Sequence, residues 1–257
     1  MAKQTLVVMV VLLVVAFGAL PALAQDGDSP WNPEIDPANF VEGVDNVFFP
    51  LEPGTLTIYE GEDDGEPEYI EVYVMHETYE VMGIPCVVVR DTVWEDGELV
   101  EDTFDWYAQD VEGNVWYMGE DSTEYEDGEA VSQAGSWEAG VDGALPGIIM
   151  YADPQAGDAY YQEYYAGEAE DEAEVVDVAA LAELEYGDFE NLLVIKEWTE
   201  LDPGVVELKY YAEGIGVVLE EKVEGGEGRV ELLSIETGLD DENRVDVLET
   251  EFEDEDE

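Results

Sequence analysis

Positive charge is scarce in this chain. Seven Lys and Arg residues stand against 68 Asp and Glu, a formal net charge of −61. Nucleic acids and anionic membrane surfaces are both bound through basic patches, so neither is an expected partner. Histidine occurs once, at His76, inside the strand-like run Val74-Met75-His76-Glu77-Thr78. A lone, solvent-facing histidine leaves no basis for a histidine-built zinc site or a Ser-His-Asp triad. Cysteine also occurs once, at Cys86. Within Pro85-Cys86-Val87-Val88-Val89 it reads as a small buried thiol, and a single cysteine excludes an internal disulfide even in an oxidising compartment. Phosphate-binding glycine loops, nucleophile elbows, paired-histidine metal motifs and Cys-x-x-Cys are all missing. No apolar run reaches the roughly 20 residues of a membrane-spanning helix.

The first residues instead carry the pattern of a cleaved leader. Lys3 is followed by the apolar stretch Leu6 to Phe17 and the small-residue triplet Ala22-Leu23-Ala24, which places a signal peptide at 1–24 with cleavage after Ala24. The first mature residue is then Gln25, not the cysteine of a lipid-anchored precursor, and no membrane insertion is expected after cleavage. The protein is therefore expected to be secreted, in the periplasm or outside the cell. Hydrophobic residues at 46% and aromatics at 11% provide for a folded core despite the charge. Acids are spread along the whole chain, and 238–257 reads as a solvated acidic tail. A surface covered in carboxylates repels itself, and at about 1 M salt the screening length falls to about 3 Å, which removes that repulsion. Adaptation to a saline habitat is the expectation; an ordinary acidic exported protein is the alternative.

Residues 25–46 form an extended lead-in rich in Pro, Asp and Asn. A β domain follows over 47–237. Strand signals cover Thr55 to Tyr59, Tyr69 to Met75, Thr78 to Val81, Cys86 to Trp94, Leu99 to Gln109 and Asn114 to Met118, broken by turns such as Glu95-Asp96-Gly97-Glu98. A second series covers Ala159 to Tyr165, Glu174 to Val178, Leu192 to Thr199, Val205 to Tyr211, Ile215 to Glu221 and Arg229 to Ile235. The series resemble each other at a nearly constant offset: Gly54 matches Gly157, Arg90 matches Lys196, Tyr107 matches Tyr211. The expected fold is mainly β, an antiparallel meander forming one curved sheet or open barrel, with related halves at 47–131 and 157–237. A long central loop at 132–156, less acidic than its flanks, joins them. It is either a plug, with Trp137, Leu145, Ile148, Ile149 and Met150 covering a sheet edge, or a lid over a binding site.

Carboxylate pairs are so common here that any one pair is weak evidence for chemistry. Acids set among aromatics are more informative, and they single out Asp105, Trp106, Tyr107, Trp137, Glu138, Asp142 and Glu163 as candidate ligand-binding residues. Strand alternation puts Asp105 and Tyr107 on one face and Trp106 on the other. That face is suited to a sugar or a cation, unless the alternation merely separates a core face from a wet one. No cofactor is expected, apart from calcium as the natural ion for oxygen-only donors. Its candidate ligands are Asp110 and Glu112 in one turn and Glu168, Glu170 and Asp171 in another; neither has the EF-hand spacing, and the first also fits a hairpin turn. Arg90 and Lys196, each in an apolar strand, are either paired with a buried acid or facing a cavity to select an anion.

The runs Glu101-Asp102-Thr103-Phe104-Asp105-Trp106-Tyr107-Ala108-Gln109-Asp110, Gly113-Asn114-Val115-Trp116-Tyr117, Gly135-Ser136-Trp137-Glu138-Ala139-Gly140 and Tyr161-Gln162-Glu163-Tyr164-Tyr165-Ala166-Gly167-Glu168-Ala169-Glu170-Asp171 resemble a family of uncharacterised exported bacterial and archaeal proteins, over roughly residues 45 to 236. The turn pattern is also similar to periplasmic lipoprotein-carrier half-barrels. Neither resemblance implies an activity or a catalytic residue. The expected function is that of an exported binding or structural protein without catalysis, its partner unspecified. A carboxylate-based glycan hydrolase with a groove near Trp106 or Trp137, or a calcium-binding surface module, are the alternatives.

Overall fold

The computed structural model describes residues 30–241; the expected leader and the tail beyond residue 241 lie outside the described residues. Among the described residues there are eighteen strands and one short 3-10 helix. After the helix at Pro37–Asn39 come β1 (Phe40–Val41), β2 (Val44–Asp45) and β3 (Pro50–Leu51), then a meander of long strands: β4 (Leu56–Asp63), β5 (Glu66–Val81), β6 (Ile84–Glu95), β7 (Glu98–Asp110) and β8 (Val115–Glu126). Short strands follow, β9 (Glu129–Ser132), β10 (Trp137–Glu138), β11 (Leu145–Met150), β12 (Ala159–Tyr161) and β13 (Glu163–Tyr164). A second meander comes after them: β14 (Asp171–Glu183), β15 (Asp188–Thr199), β16 (Val206–Ala212), β17 (Gly216–Glu224) and β18 (Gly228–Glu236). Among the described residues no helix is long and apolar enough to cross a membrane.

Local chemistry sets the hairpins. Asp64-Gly65, Met82-Gly83, Asp96-Gly97 and Asp127-Gly128 each form a two-residue connection with both residues at positive φ. That is the type I′ geometry whose twist matches the flanking strands, and Asp-Gly supplies it at little strain. The strands between these turns alternate β-branched and aromatic residues with acids, so each can bury one face or both.

The long strands belong to one antiparallel sheet in the order β12-β14-β15-β16-β17-β18-β4-β5-β6-β7-β8-β11-β13. The second meander thus precedes the first, joined where β18 pairs with β4. The two ends of this order, β12 and β13, are separated in the chain by Gln162 alone. The sheet therefore curls into a barrel that closes except at this seam, where Gln162 N donates to Asp171 O at 2.7 Å. Gly147 is required there, because a Cβ would lie 2.2 Å from the Gln162 carbonyl.

The two meanders are paired in step. Gly54 N donates to Val74 O and Val74 N to Thr55 O, just as Gly157 N donates to Val175 O and Val175 N to Asp158 O. Val89 lies opposite Val74 and Asp105; Ile195 lies opposite Val175 and Lys209. The register slips between Trp106 and Tyr107 against β8, and again between Tyr210 and Tyr211 against β17. The residues left over, Met118 and Val218, are both fully buried.

Three details depart from the sequence reading. Tyr69 to Met75 and Thr78 to Val81 are parts of a single strand, β5, whose register shifts between Val74 and Thr78. The lead-in is built into the fold: β1 pairs with β7, and the β2–β3 hairpin lies across one end of the barrel, where Gly214 N donates to Val47 O and Phe49 packs edge-on against Tyr107. The segment 132–156 is not a loop throughout, because β10 pairs with β8, and β11 pairs with β8 and β13. Trp137, Ile148 and Met150 are buried there, so the segment extends the sheet.

Apolar side chains fill both sides of the sheet. Val74, Val89, Ile148, Ile195 and Tyr211 pack inside the barrel; Cys86, Val88, Trp106 and Met118 belong to a second cluster, and Leu192, Val218 and Leu232 to a third. Cys86 is a buried core thiol, and burial pushes its pKa up to about 12.

Candidate ligand cavity

Packing inside the barrel is incomplete. A cavity of about 310 Å³ lies beneath the β2–β3 hairpin, at the low end of the roughly 300–1,000 Å³ typical of small-molecule sites. Period-2 alternation aims its lining inward: Ile70, Val72 and Val74 from β5, Val89, Asp91 and Val93 from β6, Asp105 and Tyr107 from β7. Lys209 and Tyr211 come from β16, Val217 and Glu220 from β17. The wall is mostly apolar, with one acidic side. Asp91, Lys209 and Glu220 are half-buried because they face this space.

The matched registers put two equivalent trios of ionisable residues inside the barrel. In the second meander Lys209 stands in the middle, paired in register with Glu220 and diagonal to Glu197. Its Nζ is 2.9 Å from Glu197 Oε2 and 3.9 Å from Glu220 Oε2. Burial works against the ammonium charge, but Glu197 and Glu220 outweigh it and hold the Lys209 pKa well above the ordinary lysine range. In the first meander the corresponding positions are Asp91, Asp105 and Glu120, so an acid replaces the central lysine.

Tyr117 partly compensates. Its hydroxyl lies 2.5 Å from Asp105 Oδ1 and 2.7 Å from Glu120 Oε2. One hydroxyl proton can serve only one of these contacts, so one carboxyl must itself carry a proton. Glu120 is that carboxyl: burial, then the charge of Asp105, raises its pKa well above the usual range. Burial also raises Asp105 to about 6, against the hydrogen bond from Tyr117 and the charge of Lys209. Asp91 is helped only by the charge of Lys209. Its pKa is raised well above normal by burial and then by Asp105 and Glu101, and its buried Oδ1 has no hydrogen-bond partner.

A second acidic group adjoins the first. Trp137 Nε1 donates to Glu163 Oε2 at 2.7 Å, and Trp137 packs edge-on against Tyr117. Burial, then Asp171 and Glu120, raises Glu163 well above the usual range, and burial raises Asp171 to about 6. Toward the far ends of β4 and β18, Lys222 Nζ sits 2.5 Å from Asp63 Oδ1, while buried Glu68, with neither oxygen hydrogen-bonded, is raised by burial to about 8. A share of the acids that the sequence assigns to the surface is thus internal.

Asp105, Tyr107, Trp137 and Glu163 therefore meet inside the barrel, linked through Tyr117. Trp106 faces the other way and stacks on Tyr79 at 4.3 Å, as alternation requires. Glu138 also lies on that side, accepting from the Tyr79 hydroxyl, and Asp142 is apart in an exposed turn. Asp110 organises a hairpin turn, accepting from the backbone of Glu112 and Asn114 and from the Asn114 and Trp116 side chains. Glu170 accepts from Gly167 N in the turn that holds Glu168, whereas Asp171 points inward. Among the described residues no group of three His, Cys, Asp or Glu side chains is placed to hold a metal ion. Arg90 makes a bidentate pair with Asp102 at 2.7 and 2.9 Å, and Lys196 lies over the Trp198 ring. Sequence reasoning missed Asp91, Tyr117, Glu120, Lys209 and Glu220; the repeat offset that links Asp105 to Lys209 was the available signal.

No family model and no curated protein matches the chain. Among solved structures, a candidate exported protein with a YmcC-like fold from Bacteroides fragilis aligns with 75% of this chain and all of its own at 18% identity and a TM-score of 0.42. A candidate lipoprotein from Parabacteroides distasonis aligns over 74% of this chain and 99% of its own at 12% identity and a TM-score of 0.41. Likenesses at this level carry no inference about function.

Proposed function

We propose that this chain is an exported, salt-adapted protein that binds a small molecule inside its barrel and does not catalyse a reaction on it. One observation carries this reading: an apolar-walled cavity that retains, at Asp91, a buried carboxyl oxygen with no hydrogen-bond partner. Leaving a buried acceptor unsatisfied costs about 1–3 kcal/mol, which a ligand able to satisfy it would recover. The groups needed for nucleophilic chemistry are elsewhere. His76 is bound to Asp241 and Cys86 is sealed in the cluster on the other side of the sheet. The acids that a glycan hydrolase would use, Glu120 and Glu163, are each 2% exposed, out of reach of a polymeric substrate.

Native mass spectrometry and thermal melting with octylamine, octanol and octanoate test the binding reading. At least one compound is expected to form a one-to-one complex and raise the melting temperature. Val72→Trp, which fills the cavity from the apolar wall, should abolish the complex; if it leaves binding unchanged, the site lies elsewhere. Salt adaptation predicts a melting temperature that rises from dilute buffer to molar KCl, and a flat response would refute it.

A further inference from the structure

We propose that the ligand of this cavity carries an amine, whose cationic head pairs with Asp91 beside Asp105 while its apolar body lies against Val72, Val89 and Val230. The proposal rests on the cavity-binding reading and deepens it. The fold itself contains the comparison that supports it. Where the second meander has Lys209 at the centre of its trio, the carboxylate of Glu197 is paired at 2.9 Å. Where the first meander has Asp105 at the same place, the counterpart of Glu197 is Asp91, and its Oδ1 has no partner. Asp91 lines the cavity. An ammonium head at this position would do for Asp91 what Lys209 does for Glu197.

The remaining charges agree. Four acids, Glu52, Asp91, Asp105 and Glu220, line the space with one lysine, and that lysine is already paired with Glu197. An anionic head would meet an acid-lined wall with no free cation; a neutral head would satisfy the oxygen without offsetting its neighbours. A bare metal ion is disfavoured because no three side chains converge on one position among the described residues. The valine walls favour an alkyl or aryl body over a sugar.

Calorimetric titration in molar KCl, where an enclosed ion pair is screened little, compares octylamine, octanol and octanoate with a common apolar body. The wild type should bind octylamine roughly tenfold or more tightly than octanol, since close buried charge pairs couple by at least about 1.4 kcal/mol. Asp91→Asn keeps shape and volume, and should remove that preference while leaving octanol affinity unchanged; Asp105→Asn should weaken the preference in part. Melting curves confirm that both variants are folded. If octanol or octanoate binds as tightly as octylamine, with binding still blocked by Val72→Trp, the cavity reading stands and the amine assignment falls. The amine assignment also falls if Asp91→Asn keeps the octylamine preference, or if calcium chloride displaces octylamine at equal concentration. If none of the three compounds binds, both readings fall.

Discussion

The two meanders share hairpins, bulges and register, yet their interiors are built on opposite electrostatic plans. Glu197, Lys209 and Glu220 form a trio in which a cation is held by the acids around it. Asp91, Asp105 and Glu120 form a trio of acids that is tolerable only if protons are retained, Tyr117 bridges two members and the third faces a cavity. The same backbone thus carries a lysine-centred ion cluster on one side and an acid-edged cavity on the other, and the two differ at a single central side chain.

The difference is most exposed to pH. Asp105 and Glu101 have pKa values raised by burial, to about 6 and about 7, from the ordinary carboxyl range. A carboxyl whose folded pKa is raised binds its proton more tightly in the folded state, so its contribution is fully present below the unfolded value and is lost as pH rises through the folded one. Stability should therefore fall between about pH 4 and 7, by on the order of 6 kcal/mol for the two groups at about 1.4 kcal/mol per unit. Chemical denaturation across that range measures it, and a flat response would mean that these acids do not hold their protons in the folded state.

Substitution at the two central positions should act with opposite signs. Lys209→Met leaves Glu197 and Glu220 buried without their cation and should cost about 3–5 kcal/mol in denaturant titration. Asp105→Asn removes a charge from a crowded acidic group and should be neutral or stabilising by about 1 kcal/mol above pH 7. A large loss from both would mean that the trios are not electrostatic opposites. Tyr117→Phe, which removes the bridge but keeps the ring stacked on Tyr107, should cost about 1–3 kcal/mol, mostly from the stranded carboxyls. The smallest effect is expected from Arg90→Lys on the outward side. Loss of the bidentate contact with Asp102 should cost about 1 kcal/mol and leave ligand binding unchanged.

Most of the strand pattern is legible in the sequence, because β-branched runs and Asp-Gly turns are local signals. Alternation alone puts Asp105 and Tyr107 together and Trp106 opposite. Failures come where local cues mislead. Met75-His76-Glu77 looks like a break but is a bulged part of β5. Pro146-Gly147 looks like a loop but lies in β11, where Gly147 admits the close approach of Gln162. The site is only half legible. Trp137 and Glu163 touch because the sheet curls back on itself, which no local spacing encodes. With 68 acids in the chain, Asp91 and Glu120 carry no mark that separates a buried carboxyl from a solvated one.

The pairing of β18 with β4 also bears on the order of events as the chain is made. The partner of β4 is the last strand of the barrel, so as the polypeptide emerges N-terminus first, the first meander exists for a time with one long edge unmatched. Glu60 and Glu62 stand exposed along that edge, and Asp63 ends it. Charged edges deter strand addition by other chains. Carboxylates on β4 would then protect the nascent protein from self-association before they take any part in its finished form.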